Sequence, residues 1–233
     1  MKNYKLLIFT LLLLVSCGID RSVNEELHQD KAEVSVEYTG DNTNVEQNVI
    51  ETKTESVSPS QDDYSIIDNS GSGWGFVKKK DQKPDIPKKT QDVFIKYDTY
   101  YMDQTENKVL YLTFDEGYEN GYTGQILDTL KKCEVPAAFF VTGSYFDRQP
   151  ELIKRMVDEG HIVGNHTEHH HNLHKLSDPE KIRSEFTELD DKYFKEFAQH
   201  MKYMRPPEGE YSERVLAVAK DSGYKTIFWS FAY

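Results

Sequence analysis

Three short segments hold side chains whose types and spacing suit hydrolytic chemistry. In LTFDEG, residues 112–117, an apolar run meets two adjacent carboxylates, Asp115 and Glu116. Six of the eight histidines fall between His161 and His174, in HIVGNHTEHHHNLH. In RPPEG, residues 205–209, Arg205 stands directly before a rigid proline turn. Imidazole and carboxylate together form a borderline ligand set suited to zinc or a similar divalent ion. An i, i+4 spacing such as that of His166 and His170 can put two imidazoles on one side of a turn. A guanidinium fixed beside an acid keeps that acid able to accept a proton from water. Ligands, base and cation are the parts of a metal-dependent hydrolase. Taken singly, the same segments read as a solvated histidine-rich loop and an ordinary turn.

Adjacent side chains on an extended chain point to opposite sides, so Asp115 and Glu116 are expected to divide into base and ligand rather than share one task. They cannot easily flank a glycosidic bond, where paired carboxylates stand ~5–9.5 Å apart across the sugar. No H-E-x-x-H occurs, so the zinc peptidase signature is absent.

The elements that must position these groups alternate. Strands are expected over 109–114, 137–142, 161–164 and 203–205, with a last one in YKTIFW from Tyr224. Helices are expected over 121–132, 150–159, 179–199 and 212–223. Thr123 and Asp178 are the expected caps of two of these helices, and Gly160 the stop of another. Strand–helix alternation with short connections implies an α/β fold with parallel strands, either a (β/α) barrel or an open doubly wound sheet. Asp115 and Glu116, the histidines and Arg205 then all follow strand ends and gather on one face of the sheet.

The N-terminal part has a different texture. Lys2 and Lys5 precede an apolar run from Leu6 to Val15, the layout of an export signal and too short to span a bilayer, which takes ~20 residues. The run ends in Leu14-Val15-Ser16-Cys17, which resembles a bacterial lipobox. Residues 1–17 are therefore expected to be a lipoprotein signal peptide, with Cys17 lipidated and the chain anchored to the membrane. A simple secretory signal with an incidental cysteine is the alternative. Residues 18–71 read as a disordered acidic tether, 72–107 as an irregular lead-in, and 108–233 as the catalytic-type domain. Cys133 is the one other cysteine, expected as a small buried residue. The net charge of −12 argues against nucleic acid as a partner and suits a solvated extracytoplasmic protein.

In this order and at these separations, TFDEG, GNHTEHH and RPPEG resemble the first three motifs of the polysaccharide deacetylases, the NodB homology domain of carbohydrate esterase family 4. The wider string from WGF to IFWSFA is similar, more narrowly, to the delta-lactam-biosynthetic de-N-acetylases of spore-cortex peptidoglycan. The resemblance covers about residues 73–233. It implies a distorted (β/α) barrel and metal-dependent removal of N-acetyl groups from amino sugars of a peptidoglycan glycan strand, with muramic acid as the sugar. Carried over residue by residue, Asp115 matches the catalytic base, and His166 and His170 match the metal-binding histidines. Arg205 matches the arginine that orients the base, and the peptide N–H of Glu208 matches the oxyanion donor. The metal implied is divalent, zinc by its ligands.

Three departures qualify this resemblance. Glu116 stands where a metal-binding aspartate is usual and where the narrower group has asparagine. Its extra methylene moves the oxygens by more than ~1 Å. His171 and Glu208 stand where many relatives have proline and an aromatic or basic residue. The resemblance also implies a later Asp-Trp motif and a Leu-x-His motif carrying the general acid, neither of which follows FWSFAY. The barrel is accordingly expected to be incomplete at its C-terminus, with an uncovered aromatic end. Two other readings stay open: a noncatalytic glycan- or metal-binding descendant of this fold, and a histidine-rich metal-scavenging lipoprotein.

Overall fold

The computed structural model describes residues 61–233, apart from Lys79, Asp81, Glu106 and Tyr233. The signal peptide, Cys17 and most of the acidic tether lie outside the described residues. No helix among the described residues is long and apolar enough to cross a membrane.

Among the described residues there are eight strands, β1 Ser72–Gly73, β2 Thr99–Tyr100, β3 Thr113–Glu116, β4 Ala138–Val141, β5 Ile162–Asn165, β6 Tyr203–Met204, β7 Glu210–Tyr211 and β8 Lys225–Ile227. Six of them form one sheet in the order β2-β8-β6-β5-β4-β3, and every pairing in it is parallel. The helices are α1 Lys88–Lys96, α2 Thr123–Cys133, α3 Gly143–Arg148, α4 Pro150–Asp158, α5 Pro179–Phe197 and α6 Glu213–Asp221. The sheet is not closed into a barrel, and β2 and β3 are its two edges among the described residues.

The helices form where sequence period and caps agree. Asp178 accepts a hydrogen bond from the Glu180 N–H with Pro179 following, and Ser212 accepts one from the Val215 N–H. Three helices bury apolar stripes in the core: Leu127 and Leu130 from α2, Ile153 and Met156 from α4, Ile182, Phe186 and Leu189 from α5. Gly160 leaves α4 at φ +80°, as its position implied.

Several expectations are corrected. The first strand starts at Thr113, not Val109, and Val109, Leu110 and Tyr111 are exposed. Among the described residues its one strand partner is β4, which begins at Ala138, two residues after Pro136, so the ladder ends there. Thr123 is the first helical residue rather than the cap. Cys133 is exposed, because the buried face of α2 runs Thr123, Leu127, Leu130 and points the helix's last residue away from the core.

The lead-in is not irregular throughout, since it supplies α1 and β2, and Tyr64 of the expected tether is buried with its hydroxyl bonded to Asp221 and Arg183. These segments also cover the aromatic end. Phe228 is 2% exposed, stacked on Trp74 and Phe94 at 4.9 and 5.4 Å, while Phe231 stays exposed.

At the amino ends of the strands, His161 Nδ1 accepts a hydrogen bond from the Ala137 N–H at 3.2 Å. Burial pulls its pKa below the usual histidine value, against a smaller opposing effect of Glu159. The folded state thus binds fewer protons here than the unfolded chain. The stability due to neutral His161 is full above the unfolded pKa of about 6.5 and is lost as pH falls through it toward the folded value. Urea unfolding should lose stability more steeply between about pH 7 and 5 in the wild type than in His161→Gln. Equal slopes would contradict this.

Candidate active site

The register of the central strands assembles the site. Asp115 of β3 is paired with Phe140 of β4, and Phe140 with Gly164 of β5, so the three stand in one row across the sheet. A side chain on Gly164 would meet the Phe140 ring at 2.6 Å, so the glycine is what gives that ring its space. The Arg205 guanidinium, just beyond β6, lies over the same ring at 4.2 Å. It donates to Asp115 Oδ1 at 2.6 Å, to the Ile227 carbonyl at 3.0 Å and to the Phe228 carbonyl at 3.3 Å. Arg205 is 3% exposed, whereas the Asp115 side chain is 37% exposed. A buried fork therefore holds an accessible acid in one orientation.

His166 is buried one residue past β5 and donates from Nδ1 to the Arg205 carbonyl at 2.7 Å. A carbonyl can only accept, so the proton sits on Nδ1 and Nε2 keeps its lone pair. Burial pushes the pKa of His166 down, with Asp115 opposing, which favours the neutral, ligating imidazole. The His170 ring stands 5.0 Å from it at 72°. Between them Thr167 and then His170 adopt φ of +70° and +57°, left-handed values unusual for such residues. Two hydrogen bonds hold the turn: Thr167 N–H to Asn165 Oδ1, and His170 N–H to Thr167 Oγ1, both at 2.9 Å. Asn165 is itself pinned by donating to the Phe186 carbonyl at 2.8 Å.

Glu116 faces away from Asp115, in the row of Val141 and Asn165. Its carboxyl is drawn toward Thr123 and lies near Glu119. Burial, Glu119 and Asp115, in that order, push its pKa up to about 7. Glu119 in turn accepts from the Tyr145 hydroxyl at 3.0 Å. Among the described residues, the one set of three donors whose ligand atoms all lie within 4.8 Å of each other is His169, His171 and Glu185. His166 and His170 are thus brought together, and Glu116 is not gathered with them.

Glu208 occupies the short turn Pro207–Gly209 at φ +58° and is exposed between buried neighbours. Gly209, at φ +70°, packs where a side chain would meet Trp229 at 2.7 Å and Trp74 at 3.2 Å. Trp74 N–H donates to the Gly209 carbonyl at 2.8 Å, and its indole N–H to the Trp229 carbonyl at 2.9 Å. The lead-in therefore braces the turn after Arg205. Beside the histidine loop opens a cleft of about 830 Å³, lined by Tyr118, Ser144, Arg148, Glu168, His170 and neighbours.

Of the residues singled out in the sequence, Asp115, Arg205, His166 and His170 stand together, while Phe140, Gly164 and Asn165, which support them through strand register, left no signal there. Glu185 did leave a signal, because it interrupts the apolar stripe of α5.

The fold and site define an α/β protein in which an acid, an arginine and two imidazoles meet at the carboxyl ends of a parallel sheet. The chain belongs to the polysaccharide deacetylase family, whose family model, Polysaccharide deacetylase, matches residues 102–227. The peptidoglycan-N-acetylmuramic acid deacetylase PdaA of Bacillus subtilis is 45% identical over 169 residues, 72% of this chain and 64% of that protein. The structure of Bacillus subtilis PdaA, a family 4 carbohydrate esterase, aligns at TM-score 0.68 with 44% identity, over 72% of each chain. A family 4 carbohydrate esterase from Bacillus anthracis aligns at TM-score 0.65 with 45% identity, over 72% of this chain and 76% of that one. A Bacillus anthracis CE4 family pseudoenzyme aligns at TM-score 0.53 with 30% identity, over 56% of this chain and 46% of that one. The chain spans less than two thirds of the length of PdaA.

Proposed function

We propose that the protein is a metal-dependent N-deacetylase of peptidoglycan amino sugars, acting on muramic acid in the formation of the muramic delta-lactam of spore cortex. The observation that carries this is the linked set Asp115–Arg205–His166, in which one buried arginine fixes the acid by its side chain and the imidazole tautomer by its carbonyl. The similarity to PdaA supports the substrate.

His166 and His170 fit two ligand positions for a divalent ion, zinc by its preference for imidazole, while Glu116 stands apart from them. Such an ion supplies Lewis-acid polarisation of the acetamide and a more acidic water. Asp115 takes the proton of the attacking water, and Arg205 keeps that carboxylate aimed. The Glu208 N–H donates to the oxygen that gains charge as the carbonyl carbon becomes tetrahedral. Water and acetamide yield acetate and a free amine.

The apolar run before Cys17 supports export and a lipid anchor, which would hold the enzyme on the outer face of the cell membrane against its glycan substrate. Palmitate labelling that survives Cys17→Ala would overturn the anchor.

The test is acetate release from peptidoglycan glycan strands, with reaction products analysed by mass spectrometry. Free amines on muramic acid are expected, and amines confined to glucosamine would overturn the choice of sugar. The position of Glu116 favours one second reading, a noncatalytic glycan-binding descendant. Glycan binding with no acetate release would select it.

A further inference from the structure

We propose a second divalent-metal site, built from His169, His171 and Glu185 at the rim of the cleft and separate from His166 and His170. Glu185 sits in the apolar stripe of α5 between Ile182 and Leu189 and is 5% exposed. A carboxylate buried among apolar neighbours is costly unless its charge is answered. Among the described residues no lysine or arginine pairs with it. Its ion-pair partners are two imidazoles, His171 Nδ1 at 2.8 Å and His169 Nδ1 at 3.0 Å, both on Oε1. The other oxygen, Oε2, accepts the His169 backbone N–H at 2.9 Å, which fixes the carboxylate with Oε1 toward the two rings.

All three donor atoms lie within 4.8 Å of one another, and two of their separations suit a ligand set. Atoms bound to one ion at ~2.0–2.1 Å stand ~2.8–3.4 Å apart for angles between square and tetrahedral. The two nitrogen–oxygen distances fall at the short end of that range. The rings face each other at 5.3 Å, inclined by 15°, and both side chains are more than half exposed, so the remaining positions on the ion face water. Two nitrogens and one oxygen select zinc or a similar late first-row divalent ion over magnesium or calcium, which prefer oxygen. The ion then answers the Glu185 charge.

Zinc bound per chain at a fixed free concentration, counted by elemental analysis, tests this. The wild type should hold one more ion than the variant carrying both His169→Ala and His171→Ala. The variant carrying His166→Ala and His170→Ala should keep that ion. Glu185→Gln should weaken the same ion by at least about tenfold. The exposed histidines can be removed without emptying the core, and circular dichroism of each variant confirms its fold. Equal zinc in the wild type and the His169/His171 variant overturns the proposal, as does unchanged affinity in Glu185→Gln. Failure of the His166 and His170 assignment would look different, as no ion lost from their own double variant.

Discussion

Arg205→Ala is expected to lower stability by about 2–4 kcal/mol and to reduce acetate release by on the order of 10²-fold or more. The guanidinium is 3% exposed and satisfies three acceptors at once: Asp115 and the carbonyls of Ile227 and Phe228. Its loss leaves two carbonyls without a donor and strips the Phe140 ring of its partner at 4.2 Å. The stability figure is kept below that of a fully buried ion pair because Asp115 is partly solvated. Arg205→Lys keeps the charge but cannot reach all three acceptors in one plane, so activity should stay low while part of the stability returns. Urea denaturation and acetate release measured side by side check this. A lysine variant with wild-type turnover would show that charge alone, not the fork, positions Asp115.

The second large effect belongs to His166. His166→Ala is expected to weaken divalent-metal binding at the catalytic site by about 100-fold or more, above the ~10–100-fold typical of losing a partner one step from the metal. The ring is buried, already in the tautomer that presents Nε2, and held by the Arg205 carbonyl at 2.7 Å. Glu116→Gln should cost less than about tenfold at the same site, because its carboxyl lies with Glu119 and Thr123 rather than with the two imidazoles. Competition with a chromophoric chelator, in the His169/His171 double variant so that only one site is read, supplies both numbers. A Glu116 effect as large as that of His166 would place this glutamate among the ligands.

Much of the fold was legible in the sequence because alternation and capping act locally. Asp178 caps its helix as expected though Thr123 does not, the last helix starts beside Ser212, Gly160 ends one, and the strands expected from residues 137, 161 and 203 appear within a residue or two. What escaped depends on partners distant in the chain. The extension of the first strand back to Val109 looked plausible until its neighbour began at Ala138. The helix Gly143–Arg148 is six residues long, too short for periodicity to show, and is marked only by the Thr142 hydroxyl accepting the Tyr145 N–H. The lead-in looked irregular because Trp74 and Phe94 acquire meaning only against Phe228 and Trp229, more than a hundred residues later.

The site divides in the same way. Asp115 and Arg205 were legible as residue types at strand ends, and the alternation of Asp115 and Glu116 to opposite faces follows from the strand itself. Gly164 was not legible, since its purpose is the space it leaves for the Phe140 ring on the neighbouring strand. The histidine cluster proves heterogeneous. His166 and His170 face the acid's side of the sheet, His169 and His171 turn to Glu185, and His161 lies at the far end of the strands.

The central claim is that Asp115, aimed by Arg205, serves as the base for amide hydrolysis, and Asp115→Asn tests it most directly. Asparagine keeps the shape and one oxygen toward the guanidinium, so the fold and glycan binding should persist. Acetate release from peptidoglycan should fall by about 10²–10⁴-fold, the usual worth of a positioned base. Acetate release at the wild-type rate by a folded Asp115→Asn protein would contradict the account.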